Sequence, residues 1–117
     1  MMSYLDAMMC AVQTARKDEY LRYAEKTAVL FREFGALGIV ENWGSDVPDG
    51  KLTSFPLAVR KADGETVVLS WVKWPDKAVR DAGWKALMES GRMQELGEMP
   101  FDGQRMIFGG FETVLEQ

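Results

Sequence analysis

Apolar residues recur at helical spacing between Thr14 and Phe34. The members of this stripe are spaced four, three, four and three residues apart: Tyr20, Ala24, Thr27, Phe31 and Phe34. This period predicts an amphipathic helix that buries one side. Thr14 is the expected N-cap, and Gly35 is expected to end the helix in the left-handed conformation.

A second helix is predicted after the Trp74-Pro75 step. Asp76 is its expected N-cap, and Gly91 is expected to end it. Its narrower apolar stripe consists of Val79, Ala82, Ala86 and Leu87. A glycine inside a helix costs about 1 kcal/mol relative to alanine, so Gly83 indicates that the helix packs closely against a neighbour at that point.

Five further segments have the β-branched, aromatic and methionine content of strands: residues 4–12, 37–46, 55–61, 66–74 and 105–112. The Asp63-Gly64 step supplies the positive φ of a tight hairpin, which predicts that the strands on either side of it pair. Residues 45–53 and 93–103 carry turn sequences and are expected to be loops. The order β-α-β-β-β-α-β predicts one α+β domain over residues 1–117, a ferredoxin-like sandwich with an antiparallel sheet and both helices on one face.

The predicted strands have no polar face. Alternate positions of residues 66–72 place Val67, Leu69 and Trp71 on one side and Val68, Ser70 and Val72 on the other; residues 105–111 divide into Ile107 and Phe111 against Met106 and Phe108. An antiparallel sheet with one solvated face alternates between apolar and polar residues, and these strands do not. Leaving large apolar side chains in water costs roughly 1.5 to 3 kcal/mol each. We therefore expect a homodimer in which two sheets pack face to face as a closed barrel.

A few polar residues interrupt the apolar strands and suggest a ligand pocket. Pointing between the paired sheets, beside the tryptophans, they would give an apolar pocket with convergent polar groups, which is the usual form of a small-molecule site. The candidate pocket residues are Asp6, Glu41, Asn42, Trp43, Ser70, Trp71 and Arg105. The alternative is that the polar residues face solvent or satisfy backbone groups and that the tryptophans fill the core.

The composition excludes several classes of function. Fourteen Lys and Arg against 18 Asp and Glu give a net charge of −4, which lacks the basic surface of a nucleic-acid binder. Histidine is absent, which excludes histidine general bases and metal ligands. Asp46 and Asp49 flank Pro48 in a predicted loop, but two carboxylates are too few for a cation site. We expect no metal and no cofactor.

The single cysteine and the hydropathy of the chain indicate where in the cell the protein is expected. Cys10 lies in an apolar strand and cannot form an intrachain disulfide, which favours a buried thiol and a cytoplasmic protein. The apolar runs are far shorter than the roughly 18 residues that cross a bilayer, so no membrane association is expected. Asp6 interrupts the early apolar stretch, and no basic region precedes it, so no secretory signal is predicted.

Three stretches of the chain are recognisable as sequence: EFGALGIVENWGSDVPDGKLTSF, ETVVLSW and MPFDGQRMIFGGFE. They closely resemble the small bacterial YbaA-like family of the dimeric α+β barrel superfamily, and the match covers nearly the whole chain. The resemblance implies a ferredoxin-like fold and a homodimer. It implies no established activity, and no catalytic residue is carried over. The chain departs from the family pattern at Glu89-Ser90-Gly91, where the family has an Asp-Pro step.

Three functions remain open from the sequence. The first is a cytoplasmic homodimer that binds a small, largely apolar molecule between the paired sheets or at their rim. The second is a cofactor-independent monooxygenase, because the superfamily resemblance brings in enzymes with Asn, Trp and Tyr in the barrel cleft, and Asn42, Trp43 and Trp71 have suitable chemistry. The third is a protein-interaction module, in which Trp84 and Met88 form an exposed pair on the flank opposite the predicted stripe of the second helix.

Overall fold

The computed structural model describes residues 3–117. Its four strands are β1 (Tyr4–Gln13), β2 (Gly38–Trp43), β3 (Glu65–Trp74) and β4 (Ile107–Glu112). They form one antiparallel sheet in the order β2-β3-β1-β4. Two long helices, α1 (Lys17–Glu33) and α3 (Lys77–Ser90), lie on one face of the sheet. This arrangement confirms the predicted α+β, ferredoxin-like fold.

The ends of α3 agree with the sequence prediction. The Asp76 carboxylate accepts a hydrogen bond from the backbone N–H of Val79 at 2.8 Å, as an N-cap does. Gly91 follows the last turn with φ of 72°, a left-handed conformation that favours glycine. The segment after it, Arg92–Leu96, forms a 3₁₀ helix, so only the remainder of the predicted 93–103 loop is irregular.

The prediction that Thr14 caps α1 is wrong. Residues Thr14–Arg16 form a 3₁₀ turn, and the α-helix begins at Lys17. The Thr14 hydroxyl lies 2.6 Å from the Thr66 hydroxyl on β3, and the Thr14 backbone N–H donates to the Gly64 carbonyl. Thr14 therefore joins the end of β1 to the start of β3 instead of starting the helix.

The predicted strand over residues 55–61 is also wrong. Ser54 caps a short helix, α2 (Phe55–Ala58), by accepting a hydrogen bond from the N–H of Leu57, and Pro56 in the first turn favours that helix. The Asp63-Gly64 turn, with Gly64 at a φ of 78°, leads into β3, but β3 pairs with β1 and β2 and not with the preceding segment. Val59, the residue that follows this helix, is fully buried in the core.

The buried side of α3 differs from the predicted stripe. Ala82 and Ala86 are exposed, whereas Gly83 and Leu87 are buried. A Cβ atom at position 83 would lie 2.5 Å from the Phe34 carbonyl oxygen, which confirms the close approach that this glycine indicates. The helix is rotated from the predicted orientation because its smallest residue must face its neighbour.

The second face of the sheet is only partly covered. Val59 packs against Ala11 and Val67 and covers one end of this face. Elsewhere Val40 is 43% exposed, Ile107 43% and Phe111 57%. A depression of about 210 Å³ between β1, β3 and β4 opens to solvent there. We call this uncovered part, lined by Ala7, Met9, Leu69, Ile107 and Phe111, the open face.

Candidate functional site

A cavity of about 130 Å³ lies between the two long helices, the sheet and the segment that connects α3 to β4. We call it the inner cavity. Most of its wall is aromatic, aliphatic or methionine side chains: Met8, Tyr23, Ala24, Phe31, Trp84, Met93, Leu96, Met99, Phe101 and Met106. Methionine side chains are flexible and polarisable, so such a wall can adjust to the shape of a ligand.

The floor of the inner cavity is polar. The Tyr20 hydroxyl on α1 donates a hydrogen bond of 2.6 Å to Oε1 of Glu41 on β2. Ser70 on β3 and Cys10 on β1 are buried and line the same floor. Glu41 is opposite Ser70 in the β2–β3 register, which places both side chains on the helix-covered face. The floor therefore brings a carboxyl, a phenol, a hydroxyl and a thiol together under apolar walls.

Burial changes the proton affinity of these groups. Burial raises the pKa of the Glu41 carboxyl above its ordinary value, although the Tyr20 hydrogen bond opposes this. Burial and the neighbouring Glu41 carboxylate both raise the pKa of the Tyr20 phenol. The same two causes, in the same order, raise the pKa of the Cys10 thiol to about 12. The thiol is therefore protonated at neutral pH and is a poor nucleophile.

A wider depression of about 340 Å³ adjoins the inner cavity. We call it the mouth, and its lining residues are Asp6, Met8, Arg80, Trp84, Met106 and Phe108. Met8, Trp84 and Met106 line both spaces, so these three side chains stand between the inner cavity and solvent. Met8 and Met106 are flexible side chains, so their rotation would widen this connection.

Asp6 at the mouth is buried and accepts hydrogen bonds from three side chains. The indole N–H groups of Trp74 and Trp84 donate to Oδ2 at 2.9 and 2.8 Å. The Arg80 guanidinium donates to Oδ1 at 2.7 Å through Nη2 and to both oxygens through Nε. Hydrogen bonding to the Asp6 carboxylate is the main reason that the pKa of the Arg80 guanidinium is raised above its ordinary value. We call these four residues the Asp6 cluster; it fixes α3 to β1 and β3.

The seven predicted pocket residues do not lie together in one site. Asp6 lines the mouth, and Glu41 and Ser70 line the inner cavity. Trp43 is on the same face, with its ring 6.4 Å from that of Tyr20 and the Lys17 ammonium 5.2 Å above it. Asn42 and Trp71 alternate with these residues and point to the opposite face, where the Asn42 amide donates to the Leu69 carbonyl. Arg105 lines neither the mouth nor the inner cavity.

Arg105 belongs to a separate ion-pair network beside β3. Its guanidinium donates two hydrogen bonds, at 2.9 and 2.7 Å, to the carboxylate of Glu65, and others to Asp102 and to the Arg60 carbonyl. The Arg105 hydrogen bonds lower the pKa of Glu65 to about 2. Arg105 therefore anchors the segment before β4 to the start of β3 and does not reach the inner cavity.

The location expected for the pocket, between paired sheets, differs from that of most of these residues. Asp6, Glu41, Trp43 and Ser70 face the helices, because strand alternation puts them on the same side as the buried Val72. The expectation that Trp84 is exposed is wrong as well. Its indole packs at 5.0 Å against the Phe31 ring and donates to Asp6, so only Met88 of that pair is largely exposed.

Sequence reasoning missed the residues that close the inner cavity. Tyr20 was assigned only to the stripe of α1, and Phe101 only to a loop. The Phe101 ring lies 6.1 Å from Tyr20 and 6.0 Å from Tyr23, and so covers α1. The concentration of methionines and one phenylalanine in residues 93–106, an otherwise loop-like segment, is the signal that could have indicated a buried cover.

Neither a metal-binding cluster nor a membrane-spanning helix is found in the part of the chain that the structure describes. Within residues 3–117, no three His, Cys, Asp or Glu side chains are grouped so that they could hold a metal ion. In the same part of the chain, no helix has the length and apolar character needed to cross a membrane.

The sheet order, the two helices on one face and the enclosed polar floor define a ferredoxin-like α+β protein with an internal cavity. A dimeric ferredoxin-like protein from an uncultured marine organism has a similar crystal structure, with a TM-score of 0.56 and 14% identity over the full length of both chains. The uncharacterized protein YbaA of Escherichia coli K12 is 53% identical over 117 residues, which covers 99% of this chain and all of YbaA. The Shigella flexneri protein of the same name matches equally well.

The family model described as protein of unknown function (DUF1428) matches residues 3–103. The chain belongs to the DUF1428 family. The resemblance to YbaA that three sequence stretches indicate is thereby confirmed, and it extends over the full length.

Proposed function

We propose that this protein binds a small, largely apolar molecule in the inner cavity. The observation that carries the proposal is the polar floor of Glu41 and Tyr20 beneath walls of aromatic and methionine side chains. Small-molecule sites commonly combine apolar walls with a few convergent polar groups. This site lies on the helix side of the sheet, opposite to the location between paired sheets that the sequence suggested.

The size of the inner cavity supports a ligand instead of a packing defect. Protein interiors contain few voids larger than a water molecule. An engineered apolar cavity of about 150 Å³ in another protein binds benzene. The inner cavity, at about 130 Å³, is close to that volume and has the wider mouth beside it. A ligand with one ring inside the cavity and a substituent in the mouth fits these dimensions.

Toluene is a suitable first probe, and the methionine methyl groups report where it binds. With ¹³C-methyl methionine, we expect toluene to shift the resonances of Met93 and Met99 in the inner cavity. Met88, which is 64% exposed on α3, is the internal control and should not move. Shifts confined to Met9 on the open face would support a site between sheets and contradict this proposal, as would an unchanged spectrum at saturating toluene.

A cavity-filling variant makes the same test independent of the resonance assignment. Ala24 is buried on α1 and lines the inner cavity, so Ala24→Leu is expected to reduce toluene affinity by about tenfold or more by occupying its space. Ala86→Leu makes the same change at an exposed position of α3 and should leave the affinity unchanged. Equal affinity in both variants would place the toluene outside the inner cavity.

We also propose that the protein is a homodimer that joins through the open face. The half-exposed Val40, Ile107 and Phe111 lie on this face, and water contact with such side chains is unfavourable. The dimeric character of the marine ferredoxin-like protein supports this arrangement. A self-complementary apolar patch on a sheet is a common basis for a two-fold interface.

Sedimentation velocity tests the dimer with a charge placed on the open face. We expect the wild type to sediment as a dimer and Ile107→Glu to sediment as a folded monomer, because a buried carboxylate without a partner opposes association. Val29→Glu introduces the same charge at a position of similar exposure, 51%, on the outer side of α1 and should remain dimeric. A wild-type monomer at high micromolar concentration would contradict the proposal.

The monooxygenase alternative has less support. Its residues were Asn42, Trp43 and Trp71, and strand alternation puts Trp43 on the helix-covered face and the other two on the opposite face. The three side chains therefore do not line one cleft within a chain. The interaction alternative loses its expected anchor because Trp84 lines the inner cavity and is hydrogen bonded to Asp6.

A further inference from the structure

One oxygen of the Glu41 carboxylate has no protein partner. Tyr20 donates to Oε1, and none of the hydrogen-bond donors in residues 3–117 reaches Oε2. Every fully buried side-chain nitrogen and oxygen in this same range has a hydrogen-bond partner. Oε2 therefore keeps accessible surface, and Glu41 lines the inner cavity. Glu41 therefore has a free acceptor oxygen and is also a residue of the cavity floor.

The inner cavity also lacks a positive charge. Its lining residues include no Lys or Arg and a single carboxyl group, that of Glu41; Cys10, Tyr20 and Tyr23 are the other titratable groups. The neighbouring Arg80 lines the mouth, where its guanidinium is bound to Asp6 and Asp81. No cation contributes to the pKa of Glu41, which burial raises. A partly buried carboxylate without a cationic neighbour is stabilised most by a ligand that is itself positively charged.

The walls of the inner cavity are suited to the same kind of ligand. Five aromatic rings line it: Tyr20, Tyr23, Phe31, Trp84 and Phe101. The faces of aromatic rings attract cations, and the apolar surroundings favour a hydrocarbon ring on the same molecule. An anionic ligand would meet the Glu41 carboxylate and a protein whose net charge is already −4.

We propose that the inner cavity selects small hydrophobic amines, with the ammonium N–H donating to Oε2 of Glu41 and the hydrocarbon ring packed among the aromatic and methionine side chains. This inference rests on the proposed function, since it names the class of molecule that occupies the same cavity. The ligand must carry at least one N–H, because a hydrogen bond to Oε2 supplies part of the selectivity.

Benzylamine, benzyl alcohol, toluene and benzoate form a panel of similar size that differs in charge and hydrogen bonding. At neutral pH we expect benzylamine to bind about tenfold or more tightly than toluene, as measured by calorimetry and by the cavity methionine resonances. Benzoate should bind least. Benzyl alcohol or benzoate binding as tightly as benzylamine would overturn the inference. The panel uses the wild-type protein, so its result does not depend on the folding of a variant.

Glu41→Gln tests whether the charge of Glu41 is responsible. The glutamine retains an oxygen for the Tyr20 hydrogen bond but carries no charge, so the variant should lose the preference for benzylamine over toluene. Glu25→Gln removes a charge from an exposed position of the same domain, on α1, and should retain the preference. A preference that survives Glu41→Gln would overturn the assignment to this carboxylate.

The pH dependence gives a separate measurement. Because the pKa of Glu41 is raised, the carboxylate is lost at a higher pH than an ordinary glutamate. Benzylamine affinity should therefore rise with pH through that pKa, while toluene affinity stays flat. Cys10, Tyr20 and Tyr23 have raised pKa values and remain protonated in this range. Stronger benzylamine binding at low pH would contradict the role of the ionised carboxylate.

The two proposals fail in distinguishable ways. If toluene shifts Met93 and Met99 but benzylamine binds no better, the cavity remains a binding site and the amine inference is wrong. If neither compound shifts these resonances, the proposed function fails as well.

Discussion

Asp6→Asn is expected to reduce the free energy of unfolding by about 3 kcal/mol. The substitution keeps the shape of the side chain but removes its charge and turns one acceptor oxygen into an N–H donor. The Trp74 indole, which is fully buried, and the Trp84 indole both donate to Oδ2, and Arg80 donates to both oxygens. At least one of these donors then loses its acceptor at a side chain that is only 6% exposed. Urea unfolding followed by circular dichroism measures the loss.

Asp81→Asn provides the matched control for this prediction. Asp81 accepts a hydrogen bond from the same Arg80 at 2.9 Å, but it is exposed on α3. Surface ion pairs contribute about 0 to 1 kcal/mol, so this variant should unfold almost as the wild type does. Equal losses for the two variants would show that the Asp6 cluster contributes no more than a surface pair. Trp84→Phe removes a single hydrogen-bond donor to Asp6 and is expected to lower the free energy of unfolding by about 1 kcal/mol. This milder variant tests the Asp6 cluster if Asp6→Asn does not fold.

Gly83→Ala is expected to reduce the free energy of unfolding by about 2 kcal/mol, although alanine is the better helix former. The added Cβ would lie 2.5 Å from the Phe34 carbonyl oxygen and 2.8 Å from the Trp74 ring. Neither neighbour is the flexible end of a side chain, so α3 must move away from the end of α1. Because Trp84 follows in sequence, the Asp6 cluster should also be disturbed. Thermal unfolding and the indole N–H resonance of Trp74 measure both effects.

Gly38→Ala separates this steric effect from the general effect of replacing a glycine. Gly38 begins β2, and a Cβ there would meet no atom within 4 Å. Alanine restricts the unfolded chain, so this variant should be neutral or slightly more stable. If Gly83→Ala is as stable as Gly38→Ala, the contact between α3 and Phe34 tolerates an extra methyl group and the prediction is wrong.

Much of the fold could be predicted because local signals determine it. Asp76 and Gly91 bound α3 through interactions within a few residues, and the sequence shows both. The 55–61 segment was misassigned because the local cap from Ser54 and Pro56 outweighed its strand-like residue content. The rotation of α3 was missed because its buried side was inferred from the apolar stripe, although Gly83 indicated the close contact that determines the orientation.

The candidate site could be predicted only in part. Asp6, Glu41 and Ser70 were identified because polar residues in apolar strands are unusual. Their partners come from other elements: Tyr20 reaches Glu41 from α1, and Arg80 reaches Asp6 from α3. Periodicity within one strand does not show which helix lies above it. The side of the sheet on which these residues act therefore depends on tertiary packing.

The position of β1 inside the sheet has a consequence for how the chain reaches its native state. One edge of β1 pairs with β3, while the other pairs Tyr4 with Glu112 and Met9 with Ile107 on β4. During synthesis this edge of β1 stays unpaired until residues roughly a hundred positions downstream have been made, and pairings so distant in sequence form slowly. Until then the unpaired backbone N–H and C=O groups of β1 can form hydrogen bonds with another unfinished chain. A chain that ends before β4 would therefore be prone to aggregation.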